Sequence, residues 1–159
     1  MDEPEQEIKQ LETDGAKSER FFKFAAAHKA RPKMKKSGGE DAWLGSPNFL
    51  AVADGIGDWE KHGIHSGVFS KALVTDLKKR HAKNNHMELK QILVDSIKEE
   101  KPPGTSTVVM AKFDTSRENY IKTTNIGDSG YILYRPKADG KVDTLFRSKP
   151  MNHKFNYPF

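Results

Sequence analysis

Three short stretches of the chain place acids beside glycine at the edges of apolar, β-branched runs. They are Gly38-Gly39-Glu40-Asp41-Ala42, Val52-Ala53-Asp54-Gly55-Ile56-Gly57 and Gly127-Asp128-Ser129-Gly130. A carboxylate at a strand end, with bare backbone next to it, offers oxygen donors of short, stiff reach. That arrangement suits a hard cation such as Mg²⁺ or Mn²⁺. A lone Asp-Gly is commonly just a turn, Asp128-Ser129 also reads as a capped turn, and Glu40 also reads as a surface acid. Three such sites in one small chain are what point to chemistry. Thr105-Ser106-Thr107 offers hydroxyls but no paired base, so these read as strand residues near a site and not as nucleophiles. His62 and His65 have a spacing that mimics a metal pair. Two histidines alone do not make a zinc site, and a helix-start or solvated role is expected for both. Asp58 is expected to be exposed.

Several elements must hold these residues. Trp43-Leu44 and Asn48 to Ala53 read as a hairpin turned by Gly45-Ser46-Pro47-Asn48. Phe69, Leu73 and Leu77 recur at i, i+4, i+8 and predict a helix over 66–81. A second helix over 87–100 carries Leu89, Ile92, Leu93 and Ile97 on one face, and Lys101-Pro102-Pro103-Gly104 stops it. The period then changes to that of strands over 105–113, 120–125, 130–135 and 142–146, the last two joined through Asp139-Gly140. Strands, two helices, then strands favour an α+β fold. Residues 1–20 are mostly charged and lack an apolar stripe, so a frayed helix or disordered tail is expected there.

Composition narrows the functional classes. The chain has 159 residues, 35% hydrophobic and 31% charged, which leaves room for one domain with a modest core. The absence of cysteine excludes disulfides and thiolate metal sites. No apolar run reaches the length of a membrane span, and the acidic start Met1-Asp2-Glu3-Pro4-Glu5 is unlike a signal or transit peptide, so a cytoplasmic location is the expectation. The net charge of +5 favours approach of a phosphorylated partner. The basic run Arg31-Pro32-Lys33-Met34-Lys35-Lys36 reads as a solvated loop. It has none of the aromatic interleaving that stacks bases, so nucleic acid is not an expected partner.

Taken in order, Gly39-Glu40-Asp41-Ala42-Trp43, Val52-Ala53-Asp54-Gly55-Ile56-Gly57-Asp58-Trp59, Gly104-Thr105-Ser106-Thr107, Asn125-Ile126-Gly127-Asp128-Ser129-Gly130-Tyr131 and His153 to Phe159 carry a resemblance. The chain resembles the metal-dependent serine/threonine protein phosphatases of type 2C (the PPM family), most closely the branch with mitochondrial members, which makes a mitochondrial location the alternative to a cytoplasmic one. The resemblance covers about residue 22 to the end and corresponds to an N-terminal half. It implies a partial β-sandwich with flanking antiparallel helices over 21–159, and it makes part of 21–30, a stretch helical by propensity, a first strand. The chemistry implied is phosphoester hydrolysis of a phosphoserine or phosphothreonine protein by water bridging two Mg²⁺ or Mn²⁺ ions, with a third, weaker ion possible. Asp54 would be the bridging carboxylate, the Gly55 carbonyl a ligand, Glu40 the holder of a metal-bound water, with Asp41 nearby, and Asp128 the acid of the third ion. A lysine before Glu40 would hold the phosphate, with Lys36 favoured over Lys35 and Lys33. Ile56 stands where many relatives have a histidine. The downstream Asp motifs of the family are missing, Asp143 being the last acid. A poor catalyst is therefore expected, and a non-catalytic phosphatase-like binding or regulatory module is the alternative.

Overall fold

The computed structural model describes residues 20–32 and 38–154, together with the short strands Glu7–Ile8 and Tyr157–Pro158. Its centre is an antiparallel sheet of five strands: β1 (Glu7–Ile8), β2 (Asp41–Gly45), β3 (Phe49–Asp54), β4 (Val108–Phe113) and β5 (Ile121–Ile126). They lie in the order β1-β5-β4-β3-β2. Helices α1 (Gly67–Lys83) and α2 (Leu89–Lys98) cover one face. Two hairpins complete the chain, β6 (Ile132–Pro136) with β7 (Val142–Arg147), and β8 (Asn152–Lys154) with β9 (Tyr157–Pro158). The α+β expectation holds.

Alternation along β3 explains the layering. Phe49, Ala51 and Ala53 are buried toward the helices, while Leu50, Val52 and Asp54 point the other way. Phe49, Ala51, Val108 and Met110 of the sheet meet Leu73 and Leu77 of α1 and Leu89, Ile92 and Leu93 of α2. Ala42 and Ala53 are small enough for α1 to approach through Val74, which seats the start of the helix over the end of the β2–β3 hairpin. On the face away from the helices, partly crossed by residues 20–31 through the Phe22–Phe113 and His28–Trp43 ring contacts, Trp43 and Val52 lie opposite each other in register, 48% and 50% exposed.

Four local expectations are corrected. Residues 20–31 form no strand, although Phe22 donates its N–H to the Pro47 carbonyl (2.7 Å) and its ring stacks on Phe113 at 4.3 Å. Ring contacts and the ion pairs of His28 with Asp41 and Arg31 with Glu40, not ladder bonds, fasten this segment. Ile97 is 52% exposed and Ser96 takes the buried position, because 89, 92, 93 and 96 complete the helical stripe. The strand expected over 105–113 starts at Val108, since the Ser106 hydroxyl turns to the Asp54 carbonyl (2.9 Å). Glu7–Ile8 pair with β5, within the stretch expected to lack structure; the rest of 1–19 lies outside the described residues.

The β4–β5 turn is organised by Asp114, which is buried. Its carboxylate accepts from the Ser116 amide (2.8 Å) and hydroxyl (2.7 Å) and from Arg117 Nε (3.1 Å). Burial alone would raise its proton affinity; the Ser116 donors and the Lys122 charge outweigh it and hold the group below the ordinary carboxylate range. A depressed folded pKa means its stabilisation is present at neutral pH and lost as pH falls through that value. Asp114→Ala is expected to cost about 2 kcal/mol at pH 7 by leaving these donors without an acceptor. Urea unfolding at pH 7 and pH 3 checks it: the difference between the proteins should shrink in acid.

Candidate active site

The acid sites meet at the open end of the β2–β3 hairpin. Asp41 and Asp54 are register partners there, and like charges placed opposite each other are destabilising. Their carboxyls lie within hydrogen-bonding reach, and Asp41 Oδ2 is also 3.2 Å from His28 Nε2. Burial first, then hydrogen bonding with Asp41, then the charges of Asp41, Glu40 and Asp128 push Asp54 up to about 7. Asp128 is thus near enough for its charge to be felt at Asp54. The loop that carries it is tied in by the Ser129 hydroxyl, 2.6 Å from Thr107 Oγ1, which in turn accepts the Asp54 N–H at 3.2 Å.

Glu40 is fixed through its backbone. Its carbonyl accepts the Gly55 N–H (3.2 Å) and the Ser70 hydroxyl (2.5 Å). Its carboxylate accepts the Ser66 hydroxyl at 3.1 Å and a guanidinium N–H of Arg31. Arg31 also lies 3.9 Å from the Glu60 carboxylate. Gly55 is buried beneath this network, and a Cβ there would sit 2.3 Å from the Ser66 carbonyl oxygen. Gly67 has a similar role, with a Cβ only 2.5 Å from the Gly39 carbonyl oxygen. The two glycines let α1 press its first turn onto the 39–40 backbone.

The structure therefore places Glu40, Asp41, Asp54 and Gly55 at one end of the β2–β3 hairpin, with Asp128 near enough for its charge to act on Asp54. Lys33, Lys35 and Lys36 lie outside the described residues. Arg31 belongs to the run read as a solvated loop, and the sequence reading did not single it out. The one available signal was its type: arginine offers a fork that suits carboxylates and phosphates where lysine offers a point charge. Glu60, Ser66 and Ser70 were missed as well: Ser66 looks like an ordinary cap, Ser70 like any position of the helix and Glu60 like a solvated acid. Gly127 has the turn role expected of it, with φ +88°, whereas Gly130 makes room for the Ser148 hydroxyl, 2.5 Å from where a Cβ would be.

The neighbours behave as the residues alone suggested. His65 Nδ1 accepts the Gly67 N–H (3.1 Å) at the start of α1, and His62 is exposed. Asp58 is exposed and paired with Lys61 at 2.8 Å. Thr105 Oγ1 accepts the Trp59 indole N–H (2.8 Å), a structural use of that hydroxyl. The carboxylate oxygens fit a hard divalent cation in type, with the His28 ring nitrogen 3.2 Å from Asp41 and Arg31 on Glu40 as their present partners. Among the described residues, however, no three His, Asp or Glu side chains are already arranged to hold one.

No family model matches the chain. Curated relatives do. It is 35% identical over 137 residues to "Probable protein phosphatase 2C 71" of Oryza sativa subsp. japonica, covering 84% of this chain and 28% of that protein. It is 36% identical over 132 residues to "Protein phosphatase PTC7 homolog fig" of Drosophila grimshawi, covering 76% of this chain and 41% of that one. Among solved structures, the photosystem II phosphatase PBCP superposes with a TM-score of 0.69 at 24% identity, over 81% of this chain and 50% of its own. The chain thus spans well under two thirds of the relatives it matches. In sequence along most of its length, and in fold, the chain belongs to the type 2C (PPM) protein phosphatases and fits an N-terminal portion of that domain.

Proposed function

We propose that this chain supplies one side of the active site of a metal-dependent phosphatase acting on phosphoserine and phosphothreonine in proteins. The observation that carries the reading is the convergence of Asp54, Asp41, Glu40 and Asp128, whose mutual repulsion a cation would relieve. Asp54, Glu40, Asp128 and the Gly55 carbonyl would hold Mg²⁺ or Mn²⁺, as two ions with a third held more weakly. Bound there, the ions supply Lewis acidity, which lowers the pKa of water and neutralises phosphoryl charge.

The chain's own residues do the rest. Gly55 and Ser70 fix the Glu40 backbone, Thr107 fixes Asp54 and Ser129. Arg31 stands at the rim with its guanidinium directed at acids, and we assign it the phosphate-holding role in place of a lysine. Replacing Arg31 by alanine should raise KM for a phosphopeptide roughly tenfold through the lost charge-assisted bonds, with Arg31→Lys recovering only part.

Mn²⁺-dependent phosphate release from a phosphothreonine peptide tests the function. The assay takes the 159-residue chain and the same chain joined to the segment that follows the matched region in the rice relative. Turnover is expected in the joined protein and little in the chain alone, because the described residues hold no complete ligand set. No Mn²⁺-dependent release from the joined protein would overturn the catalytic reading. It would favour the alternative of a non-catalytic phosphatase-like module, which the same lack of a ready three-acid cluster supports.

A further inference from the structure

A second site of opposite charge lies at the far end of the β2–β3 hairpin. A cavity of about 540 Å³ opens between the hairpin turn and the end of α1. Its apolar lining is the half-buried Leu44, and behind it the fully buried Phe49 stacks on the His81 ring at 4.5 Å. Lys78, Lys83 and His86 stand around the opening, with the amide of Asn48 from the turn, and no Asp or Glu among the described residues lines it. Neither Lys78 nor Lys83 is held in an ion pair among the described residues.

Lysines near a helix end often only complement its dipole. Two further observations say more here. The buried Lys112 ammonium donates to the Asn85 and Met87 carbonyls, so loop carbonyls that would repel an anion are already engaged by a cation. Burial, and then that same lysine, hold His81 below the ordinary imidazole range, a local record of positive potential. The volume lies within the range of ligand pockets and far exceeds the roughly 30 Å³ of one water, so a lone small anion would leave it mostly empty.

We propose that this cavity binds an acidic peptide segment, its carboxylates or phosphoryl groups meeting Lys78 and Lys83 and its backbone lying over Leu44. β3 separates the turn from Asp54 by roughly 17 Å at the usual strand rise, a distance about five extended residues span. That the segment belongs to the phosphoprotein substrate rests on the function proposed above; the binding itself does not.

The test is a titration of the ¹⁵N-labelled chain, without metal, with an acetylated tetraglutamate peptide and separately with inorganic phosphate at equal ionic strength. Peptide-induced amide shifts are expected to gather at Asn48, Ala82, Asn84, Asn85 and His86. The variant Lys78→Glu/Lys83→Glu should bind roughly tenfold or more weakly, while Lys141→Glu, a charge reversal in the β6–β7 turn, should leave affinity unchanged. Shifts elsewhere, equal weakening by Lys141→Glu, or phosphate binding as tightly as the peptide would each overturn the proposal. None of these readouts involves turnover, so a failed phosphatase assay and a failed binding experiment remain distinct results.

Discussion

Asp54→Asn is expected to make the metal-free chain more stable while removing its response to Mn²⁺. The wild-type carboxylate titrates near 7, well above its ordinary 3.8, because burial and the neighbouring acids oppose its charge. A raised carboxylate pKa means the unfolded chain ionises first as pH rises. Native stability therefore falls between about pH 4 and pH 7. Asparagine keeps the shape and the capacity to hydrogen-bond Asp41 without the charge. Allowing for the half-exposed position and solvent screening, the gain at pH 8 should be about 1–2 kcal/mol, shrinking to nothing near pH 4. Thermal melts in chelator across that pH range measure it. In wild type, millimolar Mn²⁺ should relieve the same repulsion and raise Tm, whereas the variant should show no such increment. A variant less stable than wild type at pH 8, or an Mn²⁺ shift that survives, would remove Asp54 from the cation site.

Gly55→Ala should have the largest destabilising effect of any single methyl added to the chain's described glycines near the site. The new Cβ would lie 2.3 Å from the Ser66 carbonyl oxygen and 2.9 Å from that of Glu40, both backbone atoms that cannot swing aside. Either α1 shifts off the hairpin or the Gly55–Glu40 bond breaks. The cost should be about 3 kcal/mol, or on the order of 10 °C in Tm. Gly63→Ala is the control: its φ of +72° is strained for alanine, but nothing lies within 4 Å, so about 1 kcal/mol is expected. If Gly55→Ala melted within two degrees of wild type, roughly the effect of a surface change, the close seat of α1 would be disproved.

The parts of this architecture that were legible in sequence are those with local grammar. The 45–48 turn, the two helical stripes and the strand period after Gly104 each follow from nearest-neighbour rules, and each was found within a few residues. Asp54, Glu40 and Asp128 stood out because glycine beside an acid at a strand end is an unusual pairing. Arg31 did not, because a residue in a segment without regular structure has no period to betray where its side chain returns. The strand expected within 21–30 came from the resemblance and not from the residues, and Phe22 instead stacks its ring on Phe113 without a ladder. Ile97 satisfied the helical spacing, but the burial stripe was already complete at Ser96. Ser66 and Ser70 gained their roles only when the helix start was laid across the Glu40 backbone, a contact no sequence window contains.

The open face of the sheet offers a practical handle. The chain has two tryptophans, and they report on different things. Trp59 has its indole N–H bonded to Thr105 beside the acids, whereas Trp43 is half exposed on the sheet face away from the helices, opposite Val52 and beside the His28 ring. In a Trp59→Phe background the emission colour of Trp43 becomes a gauge of what lies over that face. Water leaves it red; a packed protein layer turns it blue. Whether the rest of a phosphatase domain, or a second copy of the chain, closes over this sheet can thus be followed in real time without a label.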